Sequence, residues 1–250
     1  MSINEDLQVV ETRSNLEDVI LGSPVFTSFY TIDNGYKEEA DRLIRSLEEF
    51  NLPYYCEGIM SGGKEWDAIV KRKPELVLKV LDMLPGRDVV WIDSDAAILQ
   101  LPTDLFNLEV DFACCYKNKT KLHSAVLFFS NSNIARNICK DWIKENNKTQ
   151  KYRTGDQKHL ENVIYRTSSY KAHLLPDSYI KTCSTSYDSN AASAVIDQYY
   201  ASNRLKNIHL NIFKRTIQNF RLKPEWLRQS AQKWFMILAR YKLGVPRFLQ

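Results

Sequence analysis

Val89-Val90-Trp91-Ile92-Asp93-Ser94-Asp95 is the stretch on which the reading of this chain turns. An apolar, β-prone run leads directly into two carboxylates two residues apart. Open α/β sheets hold their ligands at the carboxyl ends of strands, which is where Asp93 and Asp95 stand if residues 88–92 form a buried strand. Beyond a strand end the backbone turns, so both carboxylates can converge on one hard cation. Oxygen ligands suit Mg²⁺ or Mn²⁺, which bind carboxylates together with substrate phosphates. The competing reading is a polar turn after a buried strand, with aspartate as an ordinary turn residue.

Outward from this strand the chain alternates between two periods. Residues 25–30 are a β-rich run that ends at the turn Asp33-Asn34-Gly35. A helical pattern follows from Tyr36, with Ala40, Leu43, Ile44 and Leu47 at three- and four-residue spacing. Residues 54–59 read as a second strand. Residues 68–84 read as a helix with Ile69, Leu76, Val77, Val80 and Leu84 on one side and Pro74 as a kink or restart. Strands alternating with helices argue for βαβ units and a mostly parallel sheet. Further on, 111–116 and 122–130 read as strands, and 133–145 and 155–165 as helices. Residues 1–22 show no clear period and read as an arm or a short helix.

Composition narrows the class. The 250 residues are 44% apolar and 26% charged, with 8 Gly and 8 Pro, enough for one full core and unlike a collagenous, low-complexity or disordered chain. No apolar run approaches the roughly 20 residues that cross a bilayer. The N-terminal residues lack a basic region followed by an apolar one, which argues against a secretory signal and for a soluble protein inside a cell. Without secretion the sequons at Asn118 and Asn147 carry no meaning. The five cysteines are an odd number with no zinc-like spacing, so buried free thiols are expected. Cys114 and Cys115, adjacent in a strand, should face opposite sides of the sheet.

Further segments, in this order along the chain, carry a resemblance. They are the first strand and helix, Trp66-Asp-Ala-Ile-Val-Lys-Arg-Lys-Pro, Asp93-Ser94-Asp95, His123-Ser-Ala-Val-Leu-Phe-Phe-Ser-Asn ahead of a helix bearing Trp142, Gly155-Asp156-Gln157, and Ile208-His209. Over residues 25–211 the chain resembles the GT-A-type nucleotide-diphospho-sugar transferases, metal-dependent glycosyltransferases common in phages and bacteria. The resemblance implies an α/β, GT-A (Rossmann-like) fold with a mixed, mostly parallel sheet flanked by helices. It divides the chain into an arm (1–22), the transferase domain (23–211) and a basic helical extension (212–250).

The resemblance also implies roles. A sugar donor such as a UDP-sugar loses its diphosphate, and a divalent ion stabilises the charge that builds on the leaving oxygen. Asp95 and His209 would be direct ligands, with Asp93 bonding the ribose or the metal through water; a histidine ligand favours Mn²⁺ over Mg²⁺. Apart from the resemblance, a histidine after an apolar strand is an ordinary surface or core residue. Lys71 and Lys73 would reach a donor phosphate, against a plain solvated helix face. Thr27 and Tyr30, at the end of the first strand, and Tyr36 would line the nucleoside pocket, with a core role equally open to Tyr30. Ser94, Ser124 and Ala125 would border the donor, the last in place of the family's frequent glycine. Asp156, with Gln157, would face sugar and acceptor as general base or electrostatic stabiliser, against a simple helix cap. Other nucleotide and hydrolase signatures fail: Ser61-Gly62-Gly63-Lys64 lacks the P-loop spacing, and no GxGxxG or GxSxG is present.

The net charge of +4 hides an asymmetry. Residues 204–250 hold eleven Lys/Arg against Glu225 alone, a net +10, while residues 1–203 carry a net −6. Leu227, Ala231, Trp234, Leu238 and Tyr241 form one stripe of an amphipathic helix. Such a helix packs on the domain, lies on an anionic membrane or tracks nucleic acid. Lys214, Arg215, Arg221 and Lys223 precede the stripe and favour a long polyanion. The expected acceptor is therefore a hydroxylated base in DNA, as in phage-type modification, with a membrane-associated glycan or lipopolysaccharide second. The expected location is the cytoplasm of a bacterial or phage-infected cell, with a peripheral membrane position as the variant. The rival of another class is a nucleic-acid-binding protein on an inactive transferase fold.

Overall fold

The computed structural model describes residues 7–16, 22–64, 66–117, 120–148, 156–167, 169–181, 194–199 and 201. The chain divides into two compact units, 1–201 and 202–250. The second unit, with His209, Lys214, Arg215, Arg221, Lys223 and the amphipathic stripe, lies outside the described residues.

The first unit is built on a seven-stranded sheet. Its strands are β1 (Val9–Asn15), β2 (Val25–Thr31), β3 (Tyr54–Ile59), β4 (Val89–Ile92), β6 (Phe112–Lys117), β7 (Lys121–Phe129) and β8 (Ala172–Leu174), in the order β1-β3-β2-β4-β7-β6-β8. β3, β2 and β4 are mutually parallel, β7 runs against β4 and β6, and β8 is parallel to β6. Five strands therefore point one way, and only β1 and β7 oppose them. A separate two-stranded ribbon pairs β5 (Ala96–Ile98) with β9 (Ile196–Gln198) antiparallel.

Alternation along the strands divides the core in two. Val25, Phe29, Val89 and Trp91 face one side, where α3 (Lys73–Met83), α4 (Asn133–Lys148) and α5 (Asp156–Arg166) pack. Phe26, Tyr30, Val90 and Ile92 face the other, against Ala40, Leu43, Ile44 and Leu47 of α1 (Lys37–Glu49). Cys114 falls in the first core and Cys115 in the second, the opposite facing that a strand requires. Cys56, Cys114, Cys115 and Cys139 are buried free thiols, and burial raises the pKa of each.

One expectation changes, and one alternative is decided. The N-terminal segment contributes a strand, not a helix: β1 pairs with β3 as an edge. Its side chains are exposed or half-buried and its register shifts between Val9 and Glu11, so no apolar face marks it in the sequence. The helical pattern at 68–84 is two helices, α2 (Trp66–Val70) and α3, with Pro74 in the first turn of the second. Proline there lacks only an N–H that the first turn leaves unpaired in any case.

Candidate functional site

All of the parallel strands end on one edge, and that edge gathers the chemistry. β4 releases Asp93, whose N–H donates to the carbonyl of Ala125 at 2.9 Å. β7 keeps pairing with β4 as far as Val126, but its partnership with β6 jumps from Leu127 to His123 across one step of β6. Ser124, Ala125 and Val126 thus form an irregularity in the ladder, the device by which a strand re-aims side chains near a site.

Lys73, in the first turn of α3, enters this gap. Its ammonium lies 2.9 Å from Asp93 Oδ1 and 2.9 Å from Asp156 Oδ2, and 3.4 Å from the carbonyl of Ser124. The two carboxylates are ion-pair partners of this ammonium, which also donates to the Ser124 carbonyl and hydroxyl, while among the described residues Asp156 Oδ2 accepts no hydrogen bond of its own. Lys73 is 5% exposed and Asp156 4%. The two carboxylates raise the Lys73 pKa above its ordinary value despite the desolvation that opposes it. Lys73 is therefore neither part of a solvated face nor a side chain reaching outward to a phosphate: it ties the strand-end aspartate to the helix-start aspartate. Lys71 sits in the preceding turn, half-buried, with its carbonyl accepting from Asn146 Nδ2 at 2.9 Å.

Trp91 supports the same cluster. Two residues before Asp93, its indole N–H donates to Asp93 Oδ1 at 2.9 Å, and its ring lies 5.3 Å below the Lys73 ammonium. Asp156 opens α5, where Trp142 Nε1 donates to its carbonyl at 3.0 Å. One turn along α4 from Trp142, Asn146 Oδ1 meets His159 Nδ1 at 2.8 Å. Spacing of four residues puts Trp142 and Asn146 on one face of α4, so this helix grips both the segment bearing Lys73 and the helix bearing Asp156. Gln157 follows at the second position of α5, half-buried.

Asp95 is the less compensated carboxylate. Its Oδ2 accepts from the N–H of Ala201 at 2.7 Å, and its carbonyl from the N–H of Tyr199. Burial and the neighbouring charge of Asp93 push its pKa up to about 6. Tyr36 at the start of α1 feels both carboxylates, which with burial raise its pKa to about 12, and it takes a hydrogen bond from the Trp66 indole. Trp66 itself is 50% exposed. The loops carrying these two aromatics are joined where the Asp33 carboxylate accepts the Ser61 N–H and hydroxyl. His123 is half-buried, and burial lowers its pKa.

The expected nucleoside residues divide. Thr27 is the third residue of β2, not at its end, and is fully buried with its hydroxyl donating to the Tyr55 carbonyl at 2.8 Å. Tyr30 is a core side chain whose hydroxyl donates to Glu11. Ser94, Ser124 and Ala125 are buried around the carboxylates. Trp91, Asn146 and His159 are contributors to which the sequence reading assigns no role, and Trp66 appears there only within a resembling segment. Only Trp91 carried a signal, being two residues from Asp93 and hence on the same side of the strand.

The donor set fits a hard divalent cation. Trp91 and Lys73 both engage Asp93 through Oδ1, and a cation beside Asp93 and Asp95 would relieve the repulsion that, with burial, raises the Asp95 pKa. Among the described residues no third His, Cys, Asp or Glu joins them as a metal cluster, and His209 lies outside those residues.

Comparison with known proteins follows the same lines. A family model of nucleotide-diphospho-sugar transferases matches residues 45–220. The fold is similar to that of a glycosyltransferase involved in glycosylation of the major capsid of PBCV-1, with TM-score 0.58 and 12% identity over 75% of this chain and 99% of that one. It is also similar to apo-form glycosyltransferase GlyE of Streptococcus pneumoniae TIGR4, with TM-score 0.50 and 15% identity over 71% of this chain and 54% of that one. No curated protein matches the sequence. The fold is of the GT-A type.

Proposed function

The chain belongs to the nucleotide-diphospho-sugar transferase family and is a glycosyltransferase, and from that premise we propose that it uses Mn²⁺ or Mg²⁺ to move a sugar from a UDP-linked donor to a hydroxyl of an anionic acceptor, a hydroxylated base in DNA. The observation that carries the proposal is the bridge from Asp93 through Lys73 to Asp156, beside Asp95 at the carboxyl edge of the sheet. Three carboxylates face one ammonium there, an arrangement that repels a diphosphate by itself.

Asp93 and Asp95, with His209, are the residues that would hold the cation. When bound, it supplies positive charge to the donor phosphates and to the leaving oxygen. Asp156 is the other carboxylate paired with Lys73, buried, with its carbonyl accepting from Trp142. It acts on the sugar face of the site, as the base for the acceptor hydroxyl or as a fixed negative charge toward a cationic sugar centre. Lys73 pairs with both carboxylates and offsets their charge. Tyr36 and Trp66 offer rings for the nucleoside, Ser94, Ser124 and Ala125 line the donor, and Gln157 bonds the sugar. Lys71 flanks the phosphate side. Thr27 and Tyr30 support the wall behind it. Lys214, Arg215, Arg221 and Lys223 supply charge for the acceptor backbone.

The basic C-terminal segment favours a long polyanion, and a membrane-associated glycan is the second reading. Among the described residues no helix is long and apolar enough to cross a membrane. The test is nucleotide release from UDP-, GDP- and CMP-sugars with Mn²⁺, comparing wild type with Asp95→Ala, with and without hydroxymethylated DNA. Release from one donor that needs Asp95 and rises with DNA is expected. Release that ignores DNA would remove the acceptor, and no release from any donor would favour a nucleic-acid-binding protein on an inactive fold.

A further inference from the structure

The β6–β7 hairpin projects from the same edge as the site, because β6 ends and β7 begins there. At its tip Lys117 and Lys121 pair directly across the ladder, and both are exposed. Like charges placed opposite each other weaken a hairpin. No acid lies close in sequence: residues 112–123 contain no Asp or Glu, and Lys119 adds a third positive charge between them in sequence. Among the described residues neither Lys117 nor Lys121 makes an ion pair. A fold that gains nothing from this pair keeps it at the mouth of its site, the kind of local conflict expected where a surface serves binding.

The side-chain period of two sets Lys117 and Lys121 on the face that also carries His123. The His123 ring in turn lies within the fields of Asp93, Lys73, Lys117 and Lys121. Two exposed lysines therefore stand on the same face of the hairpin as His123, at the edge where the strand-end carboxylates lie. The tip itself reads Lys117-Asn118-Lys119-Thr120-Lys121, without one apolar side chain. Docking on a lipid surface requires apolar groups that enter the acyl boundary, whereas a phosphodiester backbone asks only for cations and hydrogen-bond donors.

We propose that the Lys117–Lys121 face of this hairpin docks the phosphate backbone of a DNA acceptor and guides it to the carboxylate site. The proposal rests on the reading of DNA as acceptor. Its test uses the full chain, a short fluorescein-labelled DNA duplex and the double variant Lys117→Gln/Lys121→Gln. Two lost phosphate contacts lower the slope of log affinity against log salt by about 1.8, so that between about 50 and 200 mM salt the variant loses about twelvefold less affinity than wild type. Nucleotide release from the donor without DNA stays at the wild-type level, and the urea midpoint stays equal or rises as the like-charge pair disappears. Wild type that binds the duplex while the variant keeps its full slope overturns the docking role alone. Wild type that fails to bind the duplex at low salt overturns the DNA acceptor itself and the docking role with it. Loss of binding to phosphatidylglycerol vesicles with DNA binding intact moves the surface to a membrane and overturns the proposal.

Discussion

Replacing Lys73 by Met removes the one cation between two carboxylates and keeps the length of the side chain. Each ion pair spans 2.9 Å, a Coulomb attraction of about 6 kcal/mol at an effective dielectric constant near 20. Desolvation of the buried groups offsets much of that, and measured losses on breaking a buried pair are about 3–5 kcal/mol because a charge is left without its partner. Asp156 is the group abandoned, with a side chain 5% exposed, whereas that of Asp93 is 31% exposed and keeps its bond from Trp91. The stranded charge on Asp156 is therefore the main source of the loss. Lys73→Met should lower the unfolding free energy by about 3–5 kcal/mol. Adding Asp156→Asn removes the stranded charge and should restore at least about 2 kcal/mol of it. Urea unfolding followed by far-UV circular dichroism at 25 °C on wild type, both single variants and the double variant measures the cycle. An unchanged midpoint for Lys73→Met, or a double variant no more stable than Lys73→Met, would refute the argument that Lys73 compensates Asp156.

Asp156→Asn in the otherwise native chain should depress turnover far more than it weakens UDP binding with Mn²⁺; equal losses by kinetics and titration calorimetry would reduce Asp156 to a positioning residue. Asn146→Leu removes the hydrogen bonds to the Lys71 carbonyl and to His159 Nδ1, each worth about 1 kcal/mol, and urea unfolding should report that loss together with a fall in turnover. Asp95 gives a pH dependence whose sign follows from its raised pKa. In the metal-free protein the folded state holds the proton from about 4 up to about 6, so the Asp95 contribution favours folding at low pH and is lost as pH rises through that window. Asp95→Asn should therefore be more stable than wild type at pH 7.5, by up to about 3 kcal/mol, with the difference vanishing below pH about 4. A difference independent of pH would contradict it.

The parts of the fold that were legible are those where burial is periodic. Ala40, Leu43, Ile44 and Leu47 announce the buried face of α1, and all four are buried. The run 89–92 is buried throughout, as a central strand must be. What escaped has no such period. β5, β8 and β9 are three residues each, too short for any pattern, and β1 shows solvent to much of its length. Within the site, Asp93, Asp95 and Asp156 are visible as carboxylates at a strand end and a helix start. The burial of Lys73 is not, because its partners come from β4, β7 and α5, and only tertiary packing brings them within reach. Asn146 is similarly silent: a polar residue on an otherwise mixed helix reads as surface until His159 and the turn before α3 close around it.

These placements also decide which carboxylate a cation serves. Lys73 and Trp91 both bond Asp93 Oδ1, and Lys73 also pairs with Asp156, so positive charge is spent on those two residues first. Asp95 receives the N–H of Ala201 and its own backbone N–H but no cation within ion-pair distance among the described residues, and burial together with the charge of Asp93 opposes its ionisation. The proposed dication would gain most beside Asp95, where it would offset a cluster that by itself repels a diphosphate. On the proposed reading the lysine and the metal have separate tasks: Lys73 ties two carboxylates together within the protein, while a cation beside Asp95 would make the site receptive to a dianionic donor.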